Sequence, residues 1–229
     1  MKVCTDACVL GAYADVGAGT DATAAVGRVL DIGTGTGLLA LMAAQRNPAA
    51  VVDAVELDDD AVRQATENVA RSPFSGRVNV IHRRIQDFET TRWVGEAGYD
   101  RILTNPPFYT NHLRSPDQVV NRALHTDELP FPELIEAIGR LLKSDGQWWV
   151  LLPPYESQKL AELAQASGLW PFNQLSLLHH AQKPVFRVIT GFSFEKNGIQ
   201  EETLAIYEPD NRTYTANFRA LLRDFYLIF

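Results

Sequence analysis

The sequence predicts an α/β fold built on a mostly parallel sheet, and three observations carry that prediction. Short β-rich runs alternate with helical stretches from residue 28 onward, the pattern of successive βαβ units. A glycine-rich turn joins the first strand of that alternation to its first helix. Acids and an Asn-Pro-Pro sequence follow later strands, at positions that a parallel sheet gathers on one edge. A chain of 229 residues, 46% apolar and 21% charged, can bury a sizeable core, which excludes disordered, collagen-like and repeat architectures. With no linker or low-complexity tract, one domain spanning residues 1–229 is expected.

Arg28 to Ile32 reads as the first strand, Gly33 to Gly37 as a loop, and Leu38 to Gln45 as a helix closed by Asn47-Pro48. Ala50 to Glu56 is the second strand. Asp58 and Asp59 offer an N-cap to a helix with Ala61, Val62, Ala65 and Val69 at helical spacing, stopped at Ser72-Pro73. Arg77 to His82 and Tyr99 to Thr104 are the third and fourth strands, the latter ended by prolines that cannot continue a central ladder. From Tyr109 to about Asp127 no period is visible, the mark of a lid or binding loop. Glu133 to Lys143 is an amphipathic helix, and Ser144-Asp-Gly146 turns it into a fifth strand, Gln147 to Leu152. A helix from Glu156 to Ser167 comes next, then strands at Trp170 to Leu178, Val185 to Phe194 and Thr203 to Tyr207, suggesting a sheet that ends in an antiparallel pair. Tyr214 to Phe229 fits a terminal helix docked through Phe218, Leu221, Leu222 and Phe225.

Twenty-one basic against 28 acidic residues give a net charge of −7, so any contact with a polyanion must come from a local basic patch. Neither a membrane-spanning apolar run nor a signal-peptide pattern is present, which predicts a soluble, cytoplasmic protein with no membrane partner. Cys4 and Cys8 have no histidine or further cysteine nearby, so they read as reduced structural thiols and no metal is expected.

Asp31-Ile-Gly-Thr-Gly-Thr-Gly37 follows a strand and opens a helix, where backbone amides and the positive helix end can hold a polar or anionic group. Gly33 and Gly35 can take positive φ or leave room for the ligand. The spacing G-x-G-x-G lacks the last step of the dinucleotide fingerprint, which argues against NAD. Glu56, at the end of the next strand, is placed to accept hydrogen bonds from a ribose diol. Together these residues resemble the cofactor loop of class I S-adenosylmethionine-dependent methyltransferases. The resemblance implies a Rossmann-like class I methyltransferase fold, with a mostly parallel seven-stranded sheet, an antiparallel strand near the C-terminus and helices on both faces. It implies S-adenosyl-L-methionine as cofactor, lined by Gly33, Gly35 and Gly37, with Glu56 on its ribose and Asp31 acting through the loop or the methionine amine. By the same resemblance Asp87, in Gln86-Asp87-Phe88, accepts from the adenine amino group with an apolar residue beside the ring; an exposed loop acid beside a core Phe88 is the alternative.

Asn105-Pro106-Pro107-Phe108 ends the fourth strand, on the edge that carries the glycine loop, and so faces the cofactor's methyl group. An amino nitrogen conjugated to a π-system is a poor nucleophile. Two acceptors, the Asn105 side-chain oxygen and the Pro106 carbonyl, can take its hydrogens, orient its lone pair and stabilise the positive charge that develops on it. Pro106 and Pro107 hold that carbonyl rigidly, and Phe108 offers a face on which a planar base can stack. The tetrapeptide is similar to the Asn/Asp-Pro-Pro-aromatic motif of amino-methyltransferases, which act on adenine N6, cytosine N4 or a glutamine side chain.

Flanking segments narrow the resemblance. Met1-Lys-Val-x-Thr-Asp6, Val9-Leu-Gly-Ala-Tyr13, Leu30 through Met42, Asp53-Ala-Val-Glu-Leu57 and Phe225-Tyr-Leu227 resemble the bacterial tRNA1(Val) (adenine37-N6)-methyltransferases over nearly the whole chain. This likeness implies methylation of adenine 37, next to the anticodon, by a monomer whose partner is tRNA. Thr5 and Asp6 are carried over as cofactor-side residues; read without the resemblance they belong to a hairpin or a helix cap. Family members begin with a further basic and aromatic stretch, so a truncated or late start is expected. His82, Arg83, Arg84, Arg114, Arg122, Lys183 and Arg187 are candidates to position phosphates, each with a solvated surface as its alternative. Tyr109 could bracket an extruded base or cover the core, and His179-His180 and Trp148-Trp149 read as packing or surface residues. The alternatives are a glutamine-N5 methyltransferase of release factors, a DNA-adenine methyltransferase and a non-catalytic RNA-binding protein. The first generally has Tyr after the prolines and a separate helical domain, the second needs a target-recognition domain, and the intact Asn105 and glycine loop argue against the third.

Overall fold

The structure, a computed structural model, describes residues 4–17, 26–89, 98–106 and 129–228. Pro107, Phe108 and the whole long polar loop from Tyr109 to Asp127, with Arg114 and Arg122, lie outside them. In chain order the elements are α1 (Thr5–Tyr13), β1 (Arg28–Ile32), α2 (Leu38–Arg46), β2 (Val51–Glu56), α3 (Asp59–Ala70), β3 (Val78–His82), a 3-10 turn (Ile85–Asp87) and β4 (Tyr99–Thr104). Beyond these come α4 (Phe131–Leu141), β5 (Leu142–Leu152), α5 (Pro154–Ala166), β6 (Trp170–Leu178), β7 (Val185–Ser193), β8 (Gln200–Ala205) and α6 (Ala216–Leu222).

The strands form one sheet in the order β3-β2-β1-β4-β5-β7-β6-β8. β1 to β5 run parallel, β7 is antiparallel to both β5 and β6, and β8 pairs in parallel with β6. Among the described residues the sheet therefore has eight strands rather than the seven expected. Seven is the number the resemblance implies. The eighth, β8, overlaps the strand read at Thr203 to Tyr207 and is an edge strand whose glutamates are exposed; charge on an edge discourages pairing with another chain. Strand order reverses between β1 and β4, which opens a crevice beyond their carboxyl ends.

Side chains alternate between the faces, as the pleat requires. Val29, Val52, Trp149 and Leu151 join one core under α1, α2 and α6, whereas Leu30, Ile32, Trp148, Val150 and Leu152 join another under α4 and α5. At the amino edge the Asp100 carboxylate accepts from the Gly27 and Arg28 amides at 2.9 and 2.8 Å and from Lys143 Nζ at 2.6 Å, fixing β4 against β1.

Several elements depart from the expected bounds. Thr5 and Asp6, read without the resemblance as a hairpin or a helix cap, open helix α1, and β8 spans Gln200–Ala205 rather than Thr203 to Tyr207. β5 starts at Leu142 rather than Gln147: Leu142 pairs with Tyr99 and Gln147 with Arg101, so the expected Ser144-Asp-Gly turn is looped out between paired residues. The last helix spans Ala216 to Leu222 only, because Tyr214 bridges Tyr207, Thr215 caps the helix by accepting from the Phe218 amide, and the chain turns after Leu222.

Candidate active site

The glycine loop lies at the crevice. Gly33, Gly35 and Gly37 have φ of 68°, 58° and 83°, the left-handed region in which glycine has no steric penalty. The Gly33 and Thr34 amides donate to Val55 O at 2.9 and 3.1 Å, which binds the loop to the end of β2. Gly37 caps α2 and meets Ala65 of α3 at 3.6 Å from where a Cβ would stand. No described atom lies within 4 Å of the corresponding point at Gly33, so that side of the loop opens into free space.

Two carboxylates organise this turn. Glu56 Oε2 accepts from the Gly35 amide at 2.8 Å, and Oε1 accepts from Leu57 and Asp58 at 2.8 and 3.0 Å. Asp31 is wholly buried; its Oδ2 accepts from the Thr34 hydroxyl and from the Ala40 amide at 3.1 Å. Its Oδ1 has no hydrogen-bond partner among the described residues. Burial pushes the Asp31 carboxyl up to about 7, opposed by the Thr34 and Ala40 donors and reinforced by the charge of Glu56.

β4 delivers the second half of the site. Ile32 pairs with Thr104, so Asn105 emerges beside Gly33. Thr104 is fully buried and accepts from Trp148 Nε1 at 3.0 Å, which locks the strand just before Asn105. Asn105 Oδ1 is buried and, among the described residues, has no hydrogen-bond partner. Orphaned buried acceptors cost about 1–3 kcal/mol each, and two of them at adjoining strand ends, beside an open glycine loop, mark a place where a ligand supplies donors.

The other expected residues are spread along the same carboxyl edge. Asp87 ends the 3-10 turn after β3 and is exposed, while Phe88 is buried and stacks on Tyr99 at 6.5 Å, in the core rather than beside a ligand. The guanidinium of Arg140 on α4 donates to the carbonyls of Ile85, Gln86 and Phe88 and holds that turn in place. Thr5 and Asp6 open α1: Asp6 Oδ2 accepts from Arg187 Nε at 3.0 Å, and the Tyr226 hydroxyl, pushed up to about 12 by burial, bonds the side chains of Thr5 and Cys8. Arg187 is thus engaged with a carboxylate, and His82 Nε2 lies 2.9 Å from Leu57 O. Arg83, Arg84 and Lys183 are exposed, His180 is buried and His179 is exposed. Thr34, Arg140 and Trp148 are supports the sequence pattern did not single out; only Thr34, inside the glycine loop, carried a local signal. Among the described residues no cluster of three or more His, Cys, Asp or Glu could hold a metal, and no helix is long and apolar enough to cross a membrane.

The residues fit S-adenosylmethionine. An unpartnered carboxylate oxygen on Asp31 suits an amine, the remaining acceptor capacity of Glu56 suits a diol, and the open side of Gly33 admits close approach.

Residues 20–163 match the methyltransferase small domain family. A tRNA1(Val) (adenine(37)-N6)-methyltransferase of Dyadobacter fermentans is 47% identical over 232 residues, covering 100% of this chain and 92% of the relative. The protein of the same name from Bacteroides fragilis is 38% identical, covering 99% and 91%. Among solved structures, a predicted O-methyltransferase from Agrobacterium tumefaciens superposes with a TM-score of 0.68 at 18% identity, covering 95% of each chain. A TehB-like SAM-dependent methyltransferase from Corynebacterium glutamicum reaches 0.53 at 16% identity, covering 84% of this chain and 88% of the other. At such identities the structures speak for the fold.

Proposed function

We infer, from a chain that belongs to the methyltransferase small domain family and within it to the tRNA1(Val) (adenine(37)-N6)-methyltransferases, that it methylates N6 of adenine 37 in that tRNA. The carrying observation is 47% identity maintained over the whole chain. The buried, unpartnered Asn105 Oδ1 beside the glycine loop supports the reading chemically.

S-adenosylmethionine supplies an electrophilic methyl group on a sulfonium. Gly33, Gly35 and Gly37 let it approach the backbone, Glu56 takes the ribose hydroxyls, Asp31 receives the amine through Oδ1, and Asp87 accepts from its adenine. Thr5 and Asp6 serve the same edge by fixing the start of α1 against β7 and the C-terminal segment. On the substrate side Asn105 Oδ1 and the Pro106 carbonyl accept the two hydrogens of the target amino group. That removes the planar preference of the nitrogen and aims its lone pair for in-line attack. Pro107 restrains the carbonyl and Phe108 stacks the extruded base. A nitrogen receiving that methyl group would carry positive charge, which the Asn105 and Pro106 oxygens would stabilise until a proton leaves to water. The protein acts as one domain, as a monomer, in the cytoplasm.

The test is transfer of labelled methyl to bulk tRNA from a strain deleted for its own copy of the gene, beside ribosomal RNA, DNA and release-factor controls, with digestion to nucleosides. N6-methyladenosine from one tRNA species is expected; label in the release factor instead assigns the glutamine reaction. Separately, Glu56→Ala is expected to raise the cofactor Kd by about ten- to a hundredfold, the loss of charged hydrogen bonds. Calorimetric titration checks it, and an unchanged Kd removes Glu56 from the ribose.

A further inference from the structure

The carboxyl edge of the sheet divides at Asn105. The glycine loop, Glu56 and Asp87 lie at or just after the ends of β1, β2 and β3, to one side of β4, whereas Thr5 and Asp6, at the start of α1, lie by β7. On the other side stand β5, β7 and β6. β6 runs in the direction of β5, since both are antiparallel to β7, so the hairpin joining β6 to β7 projects from the same edge as Asn105. Three strand spacings separate β4 from β6, about 15 Å in all, a span that a few extended nucleotides cover.

That hairpin is basic and aromatic. His179 to Arg187 contains Lys183, Arg187 and two histidines and no acid, in a chain whose net charge is −7. The His179 ring lies flat on Phe186, with centroids 4.1 Å apart and planes within 10°, and the Arg187 guanidinium sits 5.7 Å from the Phe186 centroid. Phe186 is half-buried on the core while His179 is exposed, so the ring stack is anchored at one end and faces solvent at the other. The segment is also braced. Tyr207 N donates to His179 O at 2.8 Å, Lys183 N donates to His180 O at 2.9 Å, and His180 Nδ1 meets Gln182 Oε1 at 2.7 Å. Below it, the ion pair of Arg187 with Asp6 ties β7 to α1.

We propose that the β6–β7 hairpin is a docking arm for the RNA, with an unstacked nucleobase laid on the exposed face of His179 and a backbone phosphate held by Lys183. The proposal rests on the RNA-methylating reading and names the surface that reading needs. A planar ring fixed on a second ring and open outward is the platform on which single-stranded bases stack, and it loses little entropy on binding because the turn is already ordered. A lysine four residues along supplies the sequence-independent contact that sets position. With a net charge of −7, attraction for a phosphate comes from local basic segments, of which this hairpin is one and His82 to Arg84, at and just after the end of β3, is another.

Whole protein and purified tRNA test the arm by binding, independently of methyl transfer. His179→Ala is expected to weaken tRNA affinity about tenfold, and His179→Tyr, which keeps a ring, to recover most of it. Lys183→Ala is expected to lower the slope of log K against log salt by about 1. Unchanged cofactor affinity in each variant reports an intact fold. Wild-type affinity for His179→Ala overturns the stacking platform, and a wild-type slope for Lys183→Ala overturns the phosphate contact. Binding losses in the variants of a protein that transfers no methyl to tRNA sustain the arm and overturn the function. Transfer to tRNA with every variant binding as tightly as wild type does the reverse.

Discussion

Asn105→Ala is expected to slow methyl transfer by roughly a hundred- to a thousandfold while leaving cofactor affinity within about threefold, the scale on which removing one preorganised polar group from a reacting centre acts. The Asn105 side-chain oxygen is buried with no partner among the described residues and stands just after the end of β4, beside the glycine loop. In the free protein such an acceptor costs about 1–3 kcal/mol, recovered only when an N–H arrives. Two readouts therefore move in opposite directions. Transfer falls, whereas the melting temperature of the free protein stays level or rises, because alanine leaves no orphan acceptor. This opposition separates a chemical role from a structural one, in which both would fall. Asn105→Asp keeps an acceptor at the same point and is expected to lie between wild type and alanine. A normal single-turnover rate for Asn105→Ala would falsify the two-acceptor mechanism.

β1 to β4 were legible because each is short and β-rich, with glycine, proline or an acidic cap at one end or both, and because the helices between them carry one apolar face. The start of β5 was not, since Ser144-Asp-Gly146 reads as a turn before it. β1 and β4 have the expected bounds, and the residues placed at the strand ends meet at one edge. α1 was illegible for a definite reason. Ala7 to Ala12 are all buried, so the segment has no polar face and shows no helical period. β8 was misplaced because its first half, Gln200-Glu-Glu202, is exposed at the sheet edge, where charge rather than apolar alternation is favoured. In the site, Asp31, Gly33 and Glu56 sat in a local pattern. What holds them did not: the Arg140 guanidinium reaches back more than fifty residues to Ile85, Gln86 and Phe88, and Trp148 reaches Thr104 across neighbouring strands. Phe88 shows the limit of local reading, since an aromatic after an acid has the same sequence signature whether it faces a ligand or, as here, stacks on Tyr99 in the core.

Asp31→Asn is expected to stabilise the free protein above neutral pH and to weaken cofactor binding by about ten- to a hundredfold. Complete burial raises the Asp31 carboxyl from 3.8 to about 7, with Thr34 and Ala40 favouring its ionised form and Glu56 opposing it. Between those values the folded protein holds more protons than the unfolded chain. Stability due to this group is therefore fully present below about pH 4, declines at up to roughly 1.4 kcal/mol per pH unit as the pH rises toward 7, and is absent above that. Asparagine removes the titration, so the difference in unfolding free energy between variant and wild type should grow over this window and level off above it. The price is functional, because the amide cannot offer an anionic oxygen where Oδ1 now waits without a partner. A cationic amine arriving at Oδ1 favours the ionised carboxylate, so binding near pH 7 should release a proton from the wild-type protein and none from the variant. Calorimetric titration in buffers of different ionisation enthalpy measures that proton, and urea unfolding from pH 4 to pH 9 measures the stability difference. Equal proton release from both proteins would place the linkage on another group and take the amine away from Asp31.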